Sequence, residues 1–314
     1  MSRAFVFPGQ GAQAIGMGKD LADRYPAALA VFQEVDDALG EKLSALIWEG
    51  DISDLTLTAN AQPALMATSL AAMAALDVEG VDVTAARFVA GHSLGEYSAL
   101  AAAGAFSVAD TARLLRTRGQ AMQQAVPVGV GAMAALLGLS FDQAAEAAKA
   151  ACDGGEICAA ANDNDPGQVV VSGNKAAVER AVEIAKEMGA KRAVMLPVSA
   201  PFHCALMEPA ARVMEEALAK VQISAPKVPL VANVLAHDVH EPDQIRSLLV
   251  QQVTGSVRWR ESVAWMGEQG VTEIWEIGAG KALSGMVRRI NKEIATRAVG
   301  TADDVIAAVE SMNA

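Results

Sequence analysis

Short apolar runs alternate with longer stretches of helical period along this chain, which is the pattern of strands alternating with helices. Arg3–Phe7 reads as a short buried strand that ends at Pro8-Gly9, and helical patterns follow over Met17–Leu39 and Ala64–Leu76. Phe88-Val89-Ala90 is a second apolar run, closed by Gly91 and followed by Ala-rich helical sequence from Gly95 to Ala105. An Arg-rich helix is expected over Val108–Gln124, ending at Val126-Pro127 and the Gly129/Gly131 pair.

The rhythm then changes. Ala132–Leu137 reads as a strand, Phe141–Ala151 as a helix, and Ile157–Ala161 and Gln168–Ser172 as two strands joined by a turn over residues 162–167. Lys175–Met188 is helical again and Arg192–Leu196 is a last strand. The order β-α-β-β-α-β predicts a small ferredoxin-like subdomain over residues 129–197. It interrupts a larger α/β unit made of residues 1–128 and 198–314, which resumes with helix Ala205–Lys220 and strand Pro229–Val231. Helices Asp243–Val253 and Arg260–Glu268, strand Glu273–Ile277 and helix Lys281–Asn291 complete it. The expected fold class is therefore α/β, with a mostly parallel sheet covered on both faces and a second small sheet inserted.

Composition narrows the classes. Of 314 residues 52% are hydrophobic and 20% charged, which suits a packed core and excludes disorder. Three cysteines, Cys152, Cys158 and Cys204, are too few for a disulfide framework. No run of strongly apolar residues reaches the ~18 needed for a membrane span, and the N-terminal segment lacks the plan of a signal peptide. The expected compartment is the cytoplasm. With 25 Lys+Arg against 37 Asp+Glu the formal net charge is −12, which argues against a nucleic-acid surface. That charge is uneven: residues 1–109 hold 5 basic and 13 acidic side chains. Arg113, Arg116 and Arg118, the Lys186/Lys191/Arg192 group, and Arg288, Arg289 and Lys292 are the local places where an anion would be met.

Gly91-His92-Ser93-Leu94-Gly95 carries the strongest chemical content. A G-x-S-x-G between a strand and a helix is the context of a nucleophile elbow, in which only glycine two residues either side lets the backbone pass. The serine hydroxyl then sits at a helix N-terminus, where N–H groups favour negative charge. A serine needs a base, and the chain has four histidines. His92 is in the elbow and points away from Ser93, while His237 and His240 lie in a polar loop with no third metal ligand at suitable spacing. His203 follows a strand and is the expected base. No acid announces itself as its partner, since Asp163, Asp165 and Glu183 belong to the inserted unit; a backbone carbonyl is the alternative.

Two further segments bear on the site. Phe7-Pro8-Gly9-Gln10-Gly11 follows a strand as a dinucleotide fingerprint would, but the required second strand with its acid is replaced by helix. It reads better as a turn that presents an N–H, from Gln10, to an oxyanion whose second donor is Leu94. Arg118 lies among Leu114, Leu115, Ala121 and Met122, which suggests a partly buried guanidinium suited to a carboxylate.

FPGQGAQ (7–13), GHSLGEYSAL (91–100), RTRGQAMQ (116–123), NDPGQVVVSG (164–173), PVSAPFHCALM (197–207), Gln252 with Val257 and Trp259, and EIGAGKALSGM (276–286) together resemble the malonyl-CoA:acyl carrier protein transacylases of fatty acid synthesis. The matches run through nearly the whole chain in family order. The resemblance implies a hydrolase-like α/β core with a ferredoxin-like insert, and no metal or cofactor. It implies a ping-pong transfer of malonyl from malonyl-CoA to an acyl carrier protein through an ester on Ser93. His203 would be its acid/base, Gln10 and Leu94 the oxyanion donors, and Arg118 the malonyl carboxylate's partner. Gln252 would be the residue whose carbonyl orients His203, and Phe202 the side chain that crowds a branched extender. Thr254-Gly255-Ser256 departs from a proline found in many members and leaves the turn there open. A serine esterase or thioesterase, a polyketide-type acyltransferase and a non-catalytic scaffold are the rivals. Acyl carrier proteins being acidic, contact is expected through Lys186, Lys191 and Arg192, or through Arg288 and Arg289.

Overall fold

The computed structural model describes residues 2–198 and 200–313. Among these residues ten strands form two sheets. The large one contains β1 (Arg3–Phe7), β2 (Phe88–Gly91), β7 (Leu230–Val231), β8 (Asp238–Val239), β9 (Glu273–Ile277) and β10 (Ala295–Val299), ordered β10-β9-β1-β2-β7-β8. All neighbours are parallel except β7 and β8. The small sheet contains β3 (Gly131–Leu137), β4 (Cys158–Asp165), β5 (Gln168–Asn174) and β6 (Arg192–Met195), ordered β4-β5-β3-β6 and antiparallel throughout. That order, with helices Phe141–Ala150 and Lys175–Glu187 packed on it, is the split-βαβ arrangement.

Strand period explains the layers. Phe5, Phe7 and Val89 face the larger core, while Ala4, Val6, Phe88 and Ala90 face a second one with Val263, Ile274 and Val287. The helix Thr58–Val78 runs through the larger core. By length and hydropathy alone it is long and apolar enough to cross a membrane, contrary to the sequence expectation, but 83% of its apolar window is buried inside the protein.

Several boundaries differ from expectation for identifiable reasons. Met17–Leu39 is two helices, Lys19–Arg24 and Pro26–Leu39, because Pro26 forces Tyr25 into an extended conformation (φ −118°, ψ 110°). Helices Leu43–Glu49 and Ile52–Thr56 are too short to display a period. The end of the chain adds β10 and the helix Ala302–Asn313, and the 237–240 loop contributes β8. The helix expected over Ala205–Lys220 starts later: a 3₁₀ turn, Ala205–Met207, precedes the helix Glu208–Ala219.

The segment 162–165, expected as turn, is the end of β4, and only Pro166-Gly167 turns. Its polar side chains have partners that a sequence does not display. Asp163 pairs with Arg260, Asp165 with Arg289, and Asn164 with His92. The Asp163 N–H donates to Val257 O, and Val257 N–H to Ala161 O, both at 2.9 Å. The Ser256 hydroxyl donates to Ala160 O. Ser256 and Val257, at the end of the Thr254-Gly255-Ser256 segment, thus help to fasten the small sheet to the large unit.

β1 and β2 lie side by side, so the Pro8 turn and the Ser93 turn leave the same sheet edge, where α/β sites form. Packing there leaves no room for side chains. A Cβ on Gly95 would lie 2.2 Å from Phe7 O, and one on Gly91 1.9 Å from the Gly95 carbonyl carbon. Gly95→Ala should therefore cost roughly 2–4 kcal/mol in urea unfolding, as overpacking against backbone does. A loss below about 0.5 kcal/mol would show that the elbow is not this tight.

Candidate active site

Ser93 occupies the left-handed region (φ 54°) between β2 and the helix Gly95–Ala102, the strained turn expected of an elbow. Asn233, just beyond the carboxyl end of β7, holds that turn. Its Oδ1 accepts from the Ser93 N–H at 2.9 Å, and its Nδ2 donates to Gly91 O at 2.7 Å. His203 is likewise left-handed (φ 58°). Its Nε2 lies 2.8 Å from Ser93 Oγ and its Nδ1 lies 2.9 Å from the Gln252 carbonyl oxygen. A carbonyl can only accept, so Nδ1 carries the proton and Nε2 is left to accept from the serine. Burial, and next the Arg118 charge, lower the His203 pKa to about 3, so the imidazole is neutral at ordinary pH. The acid that would complete a triad is replaced by the Gln252 carbonyl.

Arg118 approaches the same serine from the helix Val108–Gln124. It is 1% exposed, with Nη2 donating to Ser93 Oγ (3.1 Å) and Gln252 Oε1 (2.9 Å) and Nη1 to Gln62 Oε1 (2.8 Å). Its guanidinium lies 5.7 Å from the centre of the Tyr97 ring. Gly119, beside it, makes this helix approach possible, since a Cβ there would lie 2.5 Å from Thr58 O. The other two arginines of that helix are used elsewhere, Arg113 with Asp110 and Arg116 with Glu41.

A cavity of about 500 Å³ opens over these groups between the two sheets. Gln10, Leu94 and Phe202 line it, as do Met133 and Val170 from the small sheet and Met286 from the large unit. The Gln10 side chain is drawn aside to Thr58 Oγ1 at 3.2 Å. Gly9 passes so close to the elbow that a Cβ would lie 2.7 Å from His92 O. His92 turns away from Ser93 to Asn164 Oδ1 at 2.8 Å. His237 lies outside this group, its Nδ1 on Asp238 O. Among the described residues no group of three His, Cys, Asp or Glu is placed to hold a metal.

Five residues of the site were not singled out by the sequence: Gln62, Glu96, Tyr97, Asn164 and Asn233. Two had a signal. Glu96 is the one charged residue of the helix Gly95–Ala102, and Asn233 follows a strand of the sheet whose ends form the site. Of the proposed carrier contacts, Arg289 is paired with Asp165, Arg288 with Thr296 and Lys186 with Glu183. Lys191 and Arg192, at the start of β6, make no side-chain hydrogen bond or ion pair among the described residues.

Comparison with known proteins shows the family. Residues 4–308 match the family model described as acyl transferase domain. The malonyl CoA-acyl carrier protein transacylase of Bacillus subtilis is 46% identical over 309 residues, covering 98% of this chain and 96% of that protein. The protein of the same name from Escherichia coli K12 is 45% identical over 307 residues, with 98% of each covered. Among solved structures, the acyl-carrier-protein-S-malonyltransferase of Bartonella henselae superposes with a TM-score of 0.97 at 57% identity over all of both chains. A malonyl-transacylase solved with its type II PKS acyl-carrier protein superposes with a TM-score of 0.96 at 42% identity, covering 99% of this chain and 100% of that one.

Proposed function

The chain belongs to the acyl transferase domain family, and on that premise we propose that it carries a malonyl group from malonyl-CoA to the phosphopantetheine thiol of an acyl carrier protein. The observation that carries the reading is one oxygen with two neighbours: Ser93 Oγ lies 2.8 Å from a neutral His203 Nε2 and 3.1 Å from Arg118 Nη2. The first makes it a nucleophile, and the second puts a cation where an acyl group with a far carboxylate needs one.

The steps follow from the donors and acceptors. His203 Nε2 takes the hydroxyl proton as Ser93 Oγ attacks the thioester carbonyl. The oxyanion lies between the Gln10 and Leu94 N–H groups, neither of which is used by a protein acceptor among the described residues. Collapse releases the coenzyme A sulfur, which takes the proton from His203. The carrier thiol then repeats the sequence in reverse, giving up its proton to His203 and taking the malonyl group from Ser93. Gln252 O keeps the imidazole in the productive tautomer throughout. Arg118, pinned by Gln62 and Gln252, holds the malonyl carboxylate and Phe202 limits the width of the acyl slot. Each step is served by these side chains and backbone groups, so the reaction needs no metal or cofactor.

A hydrolase would share Ser93 and His203 but has no use for a buried Arg118. The carrier can come from fatty acid or from polyketide synthesis: a malonyl-transacylase solved with a type II PKS acyl-carrier protein matches over nearly the whole chain. We place the enzyme in the cytoplasm, feeding fatty acid elongation, and its carrier contact at Lys191 and Arg192. The deciding experiment mixes the protein with malonyl-CoA, reads the intact mass, and then adds a fatty acid or a polyketide carrier protein. A malonyl adduct that passes to the carrier is expected. Release of free malonate with no adduct and no transfer would show a hydrolase instead.

A further inference from the structure

We propose that Glu96 is the resident counter-charge of Arg118, and that arrival of the malonyl carboxylate on Arg118 makes Glu96 take up a proton from solvent. This rests on the reading that Arg118 receives that carboxylate. Among the described residues the hydrogen-bond partners of the buried guanidinium are neutral: Gln62, Gln252 and Ser93. One of them leads to an anion. The Gln252 amide accepts from Arg118 through Oε1 and donates through Nε2 to Glu96 Oε2 at 2.6 Å. Guanidinium, amide and carboxylate thus form one buried chain, with Gln252 0% and Glu96 1% exposed. Cation and anion balance across it.

A malonyl carboxylate on the guanidinium adds a second anion to the same dry volume. Two carboxylates around one cation cannot both remain ionised there without a large desolvation cost. The malonyl group touches the fork directly and keeps its charge. Glu96, one amide away, forms an O–H bond with a proton from buffer on Oε1, leaving Oε2 to accept from Gln252. Burial already raises the Glu96 pKa to about 7, against the opposing pull of its Gln252 bond, so little further change is needed.

The other titratable groups near Glu96 leave it as the group that changes. Tyr97, next to it on the same helix, has its pKa raised beyond the working range by burial. His203, which shares Gln252, is neutral. Of the elements packed on the Glu96 helix, β2 and β7 have no titratable side chain, and the helix Thr58–Val78 has only Asp77 at its far end. The helix Val108–Gln124, also packed there, carries Arg118 itself, while its Arg113 pairs with Asp110 and its Arg116 with Glu41. β1 has only Arg3, which pairs with Glu273.

The test is calorimetric binding of malonyl-CoA and acetyl-CoA to the full-length Ser93→Ala protein in buffers of different ionisation enthalpy. Acetyl-CoA shares every phosphate and serves as the baseline. At about pH 7.5 malonyl-CoA should take up a fraction of a proton more than acetyl-CoA does. Its affinity relative to acetyl-CoA should fall about three- to tenfold from roughly pH 6.5 to 8.5, since linkage allows at most about tenfold per unit. Adding Glu96→Gln, which keeps the Gln252 acceptor, should abolish both effects. Equal uptake for the two ligands, or an excess that survives Glu96→Gln, would overturn the assignment. If Glu96→Gln fails to fold, the excess uptake in Ser93→Ala and its course with pH still decide. The premise has its own control: a malonyl preference that survives Arg118→Ala removes the carboxylate reading itself, independently of Glu96.

Discussion

Ser93→Ala should form no malonyl adduct and lose transfer by on the order of 10⁶-fold, the scale on which removal of a serine nucleophile acts. The fold should tolerate the change. Alanine is no more strained than serine at φ 54°, Arg118 keeps Gln252 and Gln62, and the Asn233 clamp uses only the Ser93 backbone. His203→Asn is the matching change at the base, because asparagine accepts a left-handed backbone better than other residues and can still donate to Gln252 O. It should lose a similar factor. The two groups act on one proton, so the double variant should be scarcely worse than either alone. Losses that multiplied would mean that Ser93 and His203 serve different steps. With the His203 pKa near 3, acylation of the unaltered enzyme at saturating malonyl-CoA should be flat from about pH 8 to 5.5. An ordinary histidine would lose most of its base form over that interval.

The parts of this site that were legible in the sequence are those whose chemistry is local. Gly91 and Gly95 bracket a serine because two backbones meet there, and the flanking strand and helix can be read from period alone. Arg118 betrayed its burial by apolar neighbours at helical spacing. Gln62 and Asn164 were not legible, since they act on partners 56 and 72 positions away and an isolated amide looks like any surface residue. Residues 162–165 misled for the same reason. Four polar residues ordinarily mark a turn, but here Arg260, Arg289, His92 and the Val257 backbone supply partners that make a buried strand affordable. The short helices and β10 were missed where a few residues carry no period. Core strands were seen well because their apolar runs are dictated by burial on both faces.

Arg118→Ala should separate substrate choice from chemistry. Malonyl transfer should fall by roughly 10²–10³-fold or more, because the carboxylate would then be buried without a cation, a loss of about 3–5 kcal/mol. Acetyl transfer should survive or rise. Acetyl-CoA brings no carboxylate to the guanidinium, whose hydrogen-bond contacts among the described residues stay neutral amides and a serine hydroxyl, so acetyl transfer draws nothing from Arg118 that truncation would take away. The His203 imidazole should also become easier to protonate, since Arg118 is the second cause of its lowered pKa after burial. The comparison to make is kcat/KM for malonyl-CoA and acetyl-CoA with one carrier protein at one pH. A fall in the malonyl-to-acetyl ratio of a hundredfold or more assigns Arg118 to selection. An equal fall for both substrates would instead make it a support for Ser93 Oγ, which its 3.1 Å contact also permits. Arg118→Lys refines the answer. A lysine keeps the charge but loses the fork that reaches Gln62 and Gln252 at once, so it should recover only part of the malonyl rate. Full recovery would mean that charge alone, without the planar geometry, decides which acyl group is held.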